Sequence, residues 1–159
     1  MRKEMDLLID QLHQTWEGDP WFGRNGNLLL GEVDAAIVFT KLHGQHSILE
    51  LVWHMNNWKA FAINRLQASS EEDLHYFETQ DWRELDHHNT ALWNEGLQKL
   101  QETQASLMTI LQQLDDTILE ENVRERNYNN RKLITGIIQH DIYHLGQIAF
   151  LTKQLRNKA

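Results

Sequence analysis

The sequence predicts an all-α protein, a four-helix bundle with a short extra helix between helices 1 and 2. One proline, Pro20, stands in 159 residues, and proline is the residue that breaks helices. Four long segments carry apolar side chains at spacings of three and four, the helical period. The strict apolar–polar alternation that marks a strand is almost absent. Polar links between amphipathic segments then favour helix packed on helix.

The elements follow in order. Residues 2 to 16 place Met5, Leu8, Leu12 and Trp16 on one stripe. Gly18 to Asn27, GDPWFGRNGN, reads as a loop because glycine, proline and asparagine cluster there. Its Trp21 and Phe22 are large apolar groups that a solvated loop does not need. Leu28 to Thr40 is the short extra helix, with Leu29, Val33, Ala36 and Ile37 on one side. The second long helix is expected from His46 to Ala68, with Ile48, Leu51, Val52, Met55, Trp58, Ala62 and Leu66 in period; Ser69 to Gln80 reads as a polar connection. A third helix is expected from Asp81 to Leu114, on Leu85, Leu92, Trp93, Leu97, Leu100, Leu107, Leu111 and Leu114. Asp115 and Asp116 end it, and an asparagine-rich stretch leads to a fourth helix over Arg131 to Leu155. No repeat or domain-sized linker interrupts the chain, so a single domain over residues 1–159 is expected.

Composition narrows the function. The chain has no cysteine, which excludes disulfides, iron–sulfur ligation and a cysteine nucleophile, and fits the cytoplasm. No apolar stretch at the N-terminus resembles a secretory signal, and no uncharged run is long enough to span a membrane. A net charge of -8 and the lack of a Lys/Arg stripe argue against nucleic acid. No nucleophile elbow, phosphate loop or dinucleotide fingerprint is present.

The chemistry lies in the histidines, of which there are nine. His140 and His144 are four apart, one turn above the other on a helix, and can converge on one metal ion. Chance alone predicts about half of one such pair in this composition, so spacing carries little. Position carries more, because the two replace aliphatic residues in the stripe of Leu133, Ile137, Ile148 and Leu151. Buried imidazoles need partners. Bonding to each other, to a tyrosine or to a backbone carbonyl is the plain alternative to a metal. His54 repeats the anomaly among Leu51, Met55, Trp58 and Ala62. Three histidines from two helices make an open three-ligand site, whose fourth position is free for water or substrate. His46 reads as a helix-start residue, His87 and His88 cannot share a face, and His13, His43 and His75 sit in polar surroundings.

Two segments, HSILELVWHMNNW (His46 to Trp58) and LITGIIQHDIYHLGQIAFL (Leu133 to Leu151), resemble the DinB/YfiT-like superfamily of bacterial metalloenzymes. The Gly146-Gln147 pair after the second histidine lifts the likeness above a bare H-x-x-x-H. WEGDPWFG and YNNRKLITG are similar to one branch of that family. The resemblance implies a bundle of DinB/YfiT type, a divalent metal (Zn or Ni) on His54, His140 and His144, and a possible homodimer. It also implies a small-molecule substrate and, by analogy with thiol S-transferases of the family, a low-molecular-weight thiol such as bacillithiol as cosubstrate. The thiol must come from outside, since the chain has none.

Three neutral imidazoles leave the ion its full charge, which can activate either a bound water or a bound thiol. Thiol transfer and hydrolysis therefore both follow from the ligands. Glu50, one turn before His54, and Gln147, three residues after His144, lie where second-layer groups orient ligand rings; Glu50 is also the candidate general base. Asp141 points about 100° away from His140 and serves another contact. Trp21, Phe22, Trp53 and Trp58 are candidates to line an apolar pocket, with Arg24 at its mouth. The reading from a different class is a non-catalytic binding module with a structural or vestigial metal site.

Overall fold

In the computed structural model, which describes residues 2–67 and 71–157, each long apolar stripe is answered by a helix. The helices are α1 (Lys3–Trp16), α2 (Gly26–Gly31), α3 (Ile48–Leu66), α4 (Leu74–Gln80), α5 (Ala91–Gln113) and α6 (Asn130–Arg156). Short 3-10 turns lie at Ala35–Ile37 and Asp116–Glu120. Among the described residues there is no strand, and one isolated bridge pairs Asn122 with Asn129. None of these helices is long and apolar enough to cross a membrane. Ala68, the expected end of the second helix, and the first residues of the polar connection, Ser69 and Ser70, lie outside the described residues.

The four long helices form the bundle: α3 packs on α5 and α6, and α1 packs on the same two. Met5, Leu12, Val52, Met55, Leu100, Leu107, Leu111 and Ile148 are essentially without solvent contact at its centre. Each such leucine contributes about 1.5–3 kcal/mol through the apolar surface it removes from water. Leu51 and Leu151 share one cavity while Trp58 and Gly136 share another, so α3 and α6 run antiparallel along a common groove. Gly26 lets α2 approach α1, because a Cβ there would meet Trp16 Cε3 at 2.6 Å.

The expected elements differ from the observed ones where a side chain recruits the backbone. The extra helix over Leu28 to Thr40 is two pieces, because Asp34 accepts from the Ala36 N–H and starts a new turn. The second long helix begins at Ile48 rather than His46. Ser47 accepts from the Glu50 N–H at 3.2 Å and Glu50 accepts from the Ser47 N–H at 2.8 Å, a reciprocal capping box. Ser47→Ala is expected to lower stability by about 1 kcal/mol. An unchanged urea midpoint would show that the box does not hold this end of α3.

The polar connection holds a helix of its own, α4, capped by Asp73. The third helix starts ten residues later than expected, at Ala91 rather than Asp81. Leu85 is buried even so, which is why it continued the apolar stripe. The intervening chain leaves the helical path at Trp82, whose φ of 48° lies in the left-handed region, costly for a residue with a Cβ.

Candidate metal centre

His54 comes from α3, and His140 and His144 from α6. Their donor nitrogens converge: His140 Nε2 lies 2.9 Å from His54 Nε2 and 3.1 Å from His144 Nε2. The three residues form a group able to hold a metal ion. Three nitrogens on one tetrahedral zinc, each at about 2.0–2.1 Å, stand about 3.3 Å apart, close to the spacing here.

The outer ring atoms set which nitrogen carries the proton. His54 Nδ1 is 2.5 Å from Asp81 Oδ1, a carboxylate that can only accept. His54 therefore holds its proton on Nδ1 and turns a lone pair inward from Nε2. His144 Nδ1 donates likewise to Gln147 Oε1 at 2.6 Å. His140 Nδ1 is buried and has no hydrogen-bond partner among the described residues. One proton on His140 Nε2 can serve only one of the two facing lone pairs at a time. A cation at the centre satisfies all three Nε2 atoms at once, so the donor set fits a divalent metal.

Electrostatics agree with that fit. Burial, then the neighbouring His144, His54 and Lys59, pushes His140 down to about 3. Burial likewise holds His54 and His144 below the usual imidazole range, although Asp81 and Gln147 pull the other way. All three rings are thus neutral near pH 7, the form that binds metal.

Trp82 covers the centre. Its ring stacks on His54 at 3.8 Å and on His46 at 3.6 Å, with 12° between the planes in each case. The left-handed φ at Trp82 turns its ring onto His54 directly after Asp81 has bound the same imidazole. Asp81→Ala removes the carboxylate that orients His54 and is expected to weaken zinc binding about 10–100-fold. Competition with a chelator measures this, and an unchanged affinity would remove Asp81 from the site.

Two cavities flank the triad in the α3–α6 groove. One, of about 610 Å³, borders His144 and is walled by Leu51, Trp82, Tyr143, Phe150 and Leu151. The other, of about 460 Å³, borders His140 and includes Trp58, Tyr128 and Lys132.

Not every expected residue joins the site. Gln147 touches His144, and its Nε2 donates to the Tyr143 hydroxyl at 3.4 Å. Trp58 lines the cavity beside His140. Glu50 is engaged elsewhere: Lys41 Nζ lies 2.7 Å from its Oε1, and its other oxygen closes the capping box. Burial raises its pKa, but the contacts from Lys41 and Ser47 outweigh this and hold the carboxyl below its usual value, which suits a cap and not a base. Trp21 is wholly exposed and Phe22 half-exposed, so neither packs into a pocket wall. Arg24 pairs with Glu32 instead of guarding a mouth. Trp53 turns towards α5, donating to the Leu92 carbonyl at 3.2 Å. Asp141 makes the separate contact expected of it, with Lys59 and Trp16 in the core.

Asp81 and Trp82 are the residues that sequence reasoning missed. The signal was a tryptophan beside an acid just after a polar stretch, but Leu85 and Leu92 drew the helix across both.

A family model described as the DinB superfamily matches residues 28–148, more than two thirds of the chain and a span containing all three histidines. No curated protein and no solved structure matches the chain. The helical bundle, the converging histidines and this match lead to one conclusion: the chain belongs to the DinB superfamily.

Proposed function

We propose that this protein is a divalent-metal-dependent enzyme that transfers a low-molecular-weight thiol to a small electrophile. The observation that carries the reading is the set of three Nε2 atoms turned towards one point beside an open cavity. A bound divalent cation lowers the pKa of a coordinated thiol or water. The surrounding side chains favour the thiol. Hydrolysis calls for a general base within reach of the attacking water. Asp81 is held by His54, Glu50 is held by Lys41 and Ser47, and the residues lining the cavity beside His144 include no Asp or Glu. The cavity's one further imidazole, His46, is stacked flat on Trp82 with Nδ1 directed to Glu50 at 3.7 Å. A thiol activated by the cation needs no such base. Trp82, Tyr143 and Phe150 shape the cavity, and Gln147 keeps His144 in the tautomer with its lone pair inward.

Protein purified without an affinity tag is expected to take up about one equivalent of zinc or nickel. It should then accelerate conjugation of bacillithiol to 1-chloro-2,4-dinitrobenzene, and a chelator should abolish that rate. Uptake below about a tenth of an equivalent after adding either metal would overturn the metal reading. Full uptake with hydrolysis of activated esters but no conjugation would overturn the thiol reading.

A further inference from the structure

The two cavities of the α3–α6 groove differ in chemistry. None of the residues lining the one beside His144 is Asp, Glu, Lys or Arg; its walls are Leu51, Trp82, Tyr143, Phe150 and Leu151, with Gln45, His46 and Gln147 as polar groups. Such a lining accepts an uncharged apolar or aromatic body, because a charged one would lose its hydration without a partner.

The cavity beside His140 is basic. Arg131 and Lys132 line it and no acid does. Arg131 is already engaged, 3.1 Å from Glu4 and 2.5 Å from Glu120. Lys132 is not: its Nζ stands 5.6 Å from the Tyr128 ring centroid, and among the described residues it has no ion-pair partner. Arg126 lies over the aromatic floor, 5.9 Å from the Trp58 ring and 5.3 Å from the Phe61 ring, its Nε buried without a hydrogen bond. It too has no acidic partner among the described residues. In a chain with a net charge of -8, where acids outnumber bases, an exposed Lys132 and a half-buried Arg126 with an unbonded Nε, both without acidic partners beside one aromatic-walled cavity, suit an anion from outside.

We propose that the histidine triad divides one groove into two subsites, an uncharged apolar–aromatic one beside His144 and a carboxylate-binding one beside His140. As a site for two substrates this rests on the thiol-transfer reading. Binding in either cavity does not itself require the metal.

The test is NMR of the zinc-loaded full chain, read at the indole N–H groups of Trp58 and Trp82, with succinate, benzyl alcohol and inorganic phosphate as probes. Succinate is expected to shift Trp58, and benzyl alcohol Trp82. Lys132→Gln should weaken succinate about tenfold and leave benzyl alcohol unchanged; Phe150→Asp, at an exposed position, should do the reverse. Succinate shifting Trp82 alone, an unchanged succinate affinity in Lys132→Gln, or phosphate binding at Trp58 more tightly than succinate would overturn the assignment. A Trp58 response to succinate that persists in chelator-treated protein supports the subsite even if metal uptake fails.

Discussion

His140→Ala is expected to reduce bound zinc from about one equivalent to a trace at micromolar metal. Zinc held by a full set of protein ligands contributes on the order of 10 kcal/mol or more. Removing one of three nitrogens costs roughly a third of that, or about 100- to 1000-fold in affinity. His140 is the informative choice because its Nε2 approaches both other rings. It is also the ring with no outer partner among the described residues, its Nδ1 being buried and unbonded. Alanine removes an unbonded buried nitrogen along with a ligand, but also the one ring proton that can serve the His54 and His144 lone pairs. The opposing effects should leave the metal-free variant within about 2 kcal/mol of metal-free wild type. Metal analysis and urea unfolding of both proteins read the two effects separately. Retained stoichiometric zinc would show that the triad is a hydrogen-bonded cluster and not a metal site.

Lys59→Met is expected to cost about 3–5 kcal/mol of stability. Lys59 and Asp141 are both wholly buried, with Nζ 2.8 Å from Oδ2. The same ammonium donates to Gln104 Oε1 at 2.8 Å and sits 4.1 Å over the Trp16 ring, whose Nε1 donates to Asp141 Oδ2 at 2.8 Å. Burial pushes the Lys59 ammonium's pKa down, and Asp141 draws it back up. Without the lysine, Asp141 keeps a charge in the core with only an indole to meet it. Removing both charges with Lys59→Met and Asp141→Leu should recover most of the loss, leaving about 1–2 kcal/mol for the unmet groups of Trp16 and Gln104. A single variant within about 1 kcal/mol of wild type would contradict this account. Lys59 lies five residues after His54, and Asp141 one after His140. The pair thus holds α3 in register with α6 where the triad forms, and weaker zinc binding should accompany the lost stability.

Much of the fold could be read because amphipathic period is local information. The stripes of α1, α3, α5 and α6 are visible in any window of a dozen residues. The two ring donors on α6 were equally visible, as polar residues in places that period reserves for aliphatic ones. Lys59 and Asp141 were harder: each is one of several charged residues on its helix, and nothing in either segment says that the other faces it. The break at Asp81 was misread for a related reason. Leu85 and Leu92 continue an apolar pattern, whereas the force that turns the chain away is the bond from Asp81 to His54, 27 residues earlier.

The amino-acid sequence alone thus specified four amphipathic helices and three imidazoles on their buried faces, because burial pattern and residue chemistry are properties of each segment. Tertiary structure alone decided which groups serve those imidazoles. Asp81 and Trp82 reach His54 from a connection, Glu50 is taken by a helix cap, and Trp21 and Phe22 stand in solvent. Hydrogen bonds and ring stacking act over a few ångströms between residues far apart in the chain, so no spacing along it encodes them.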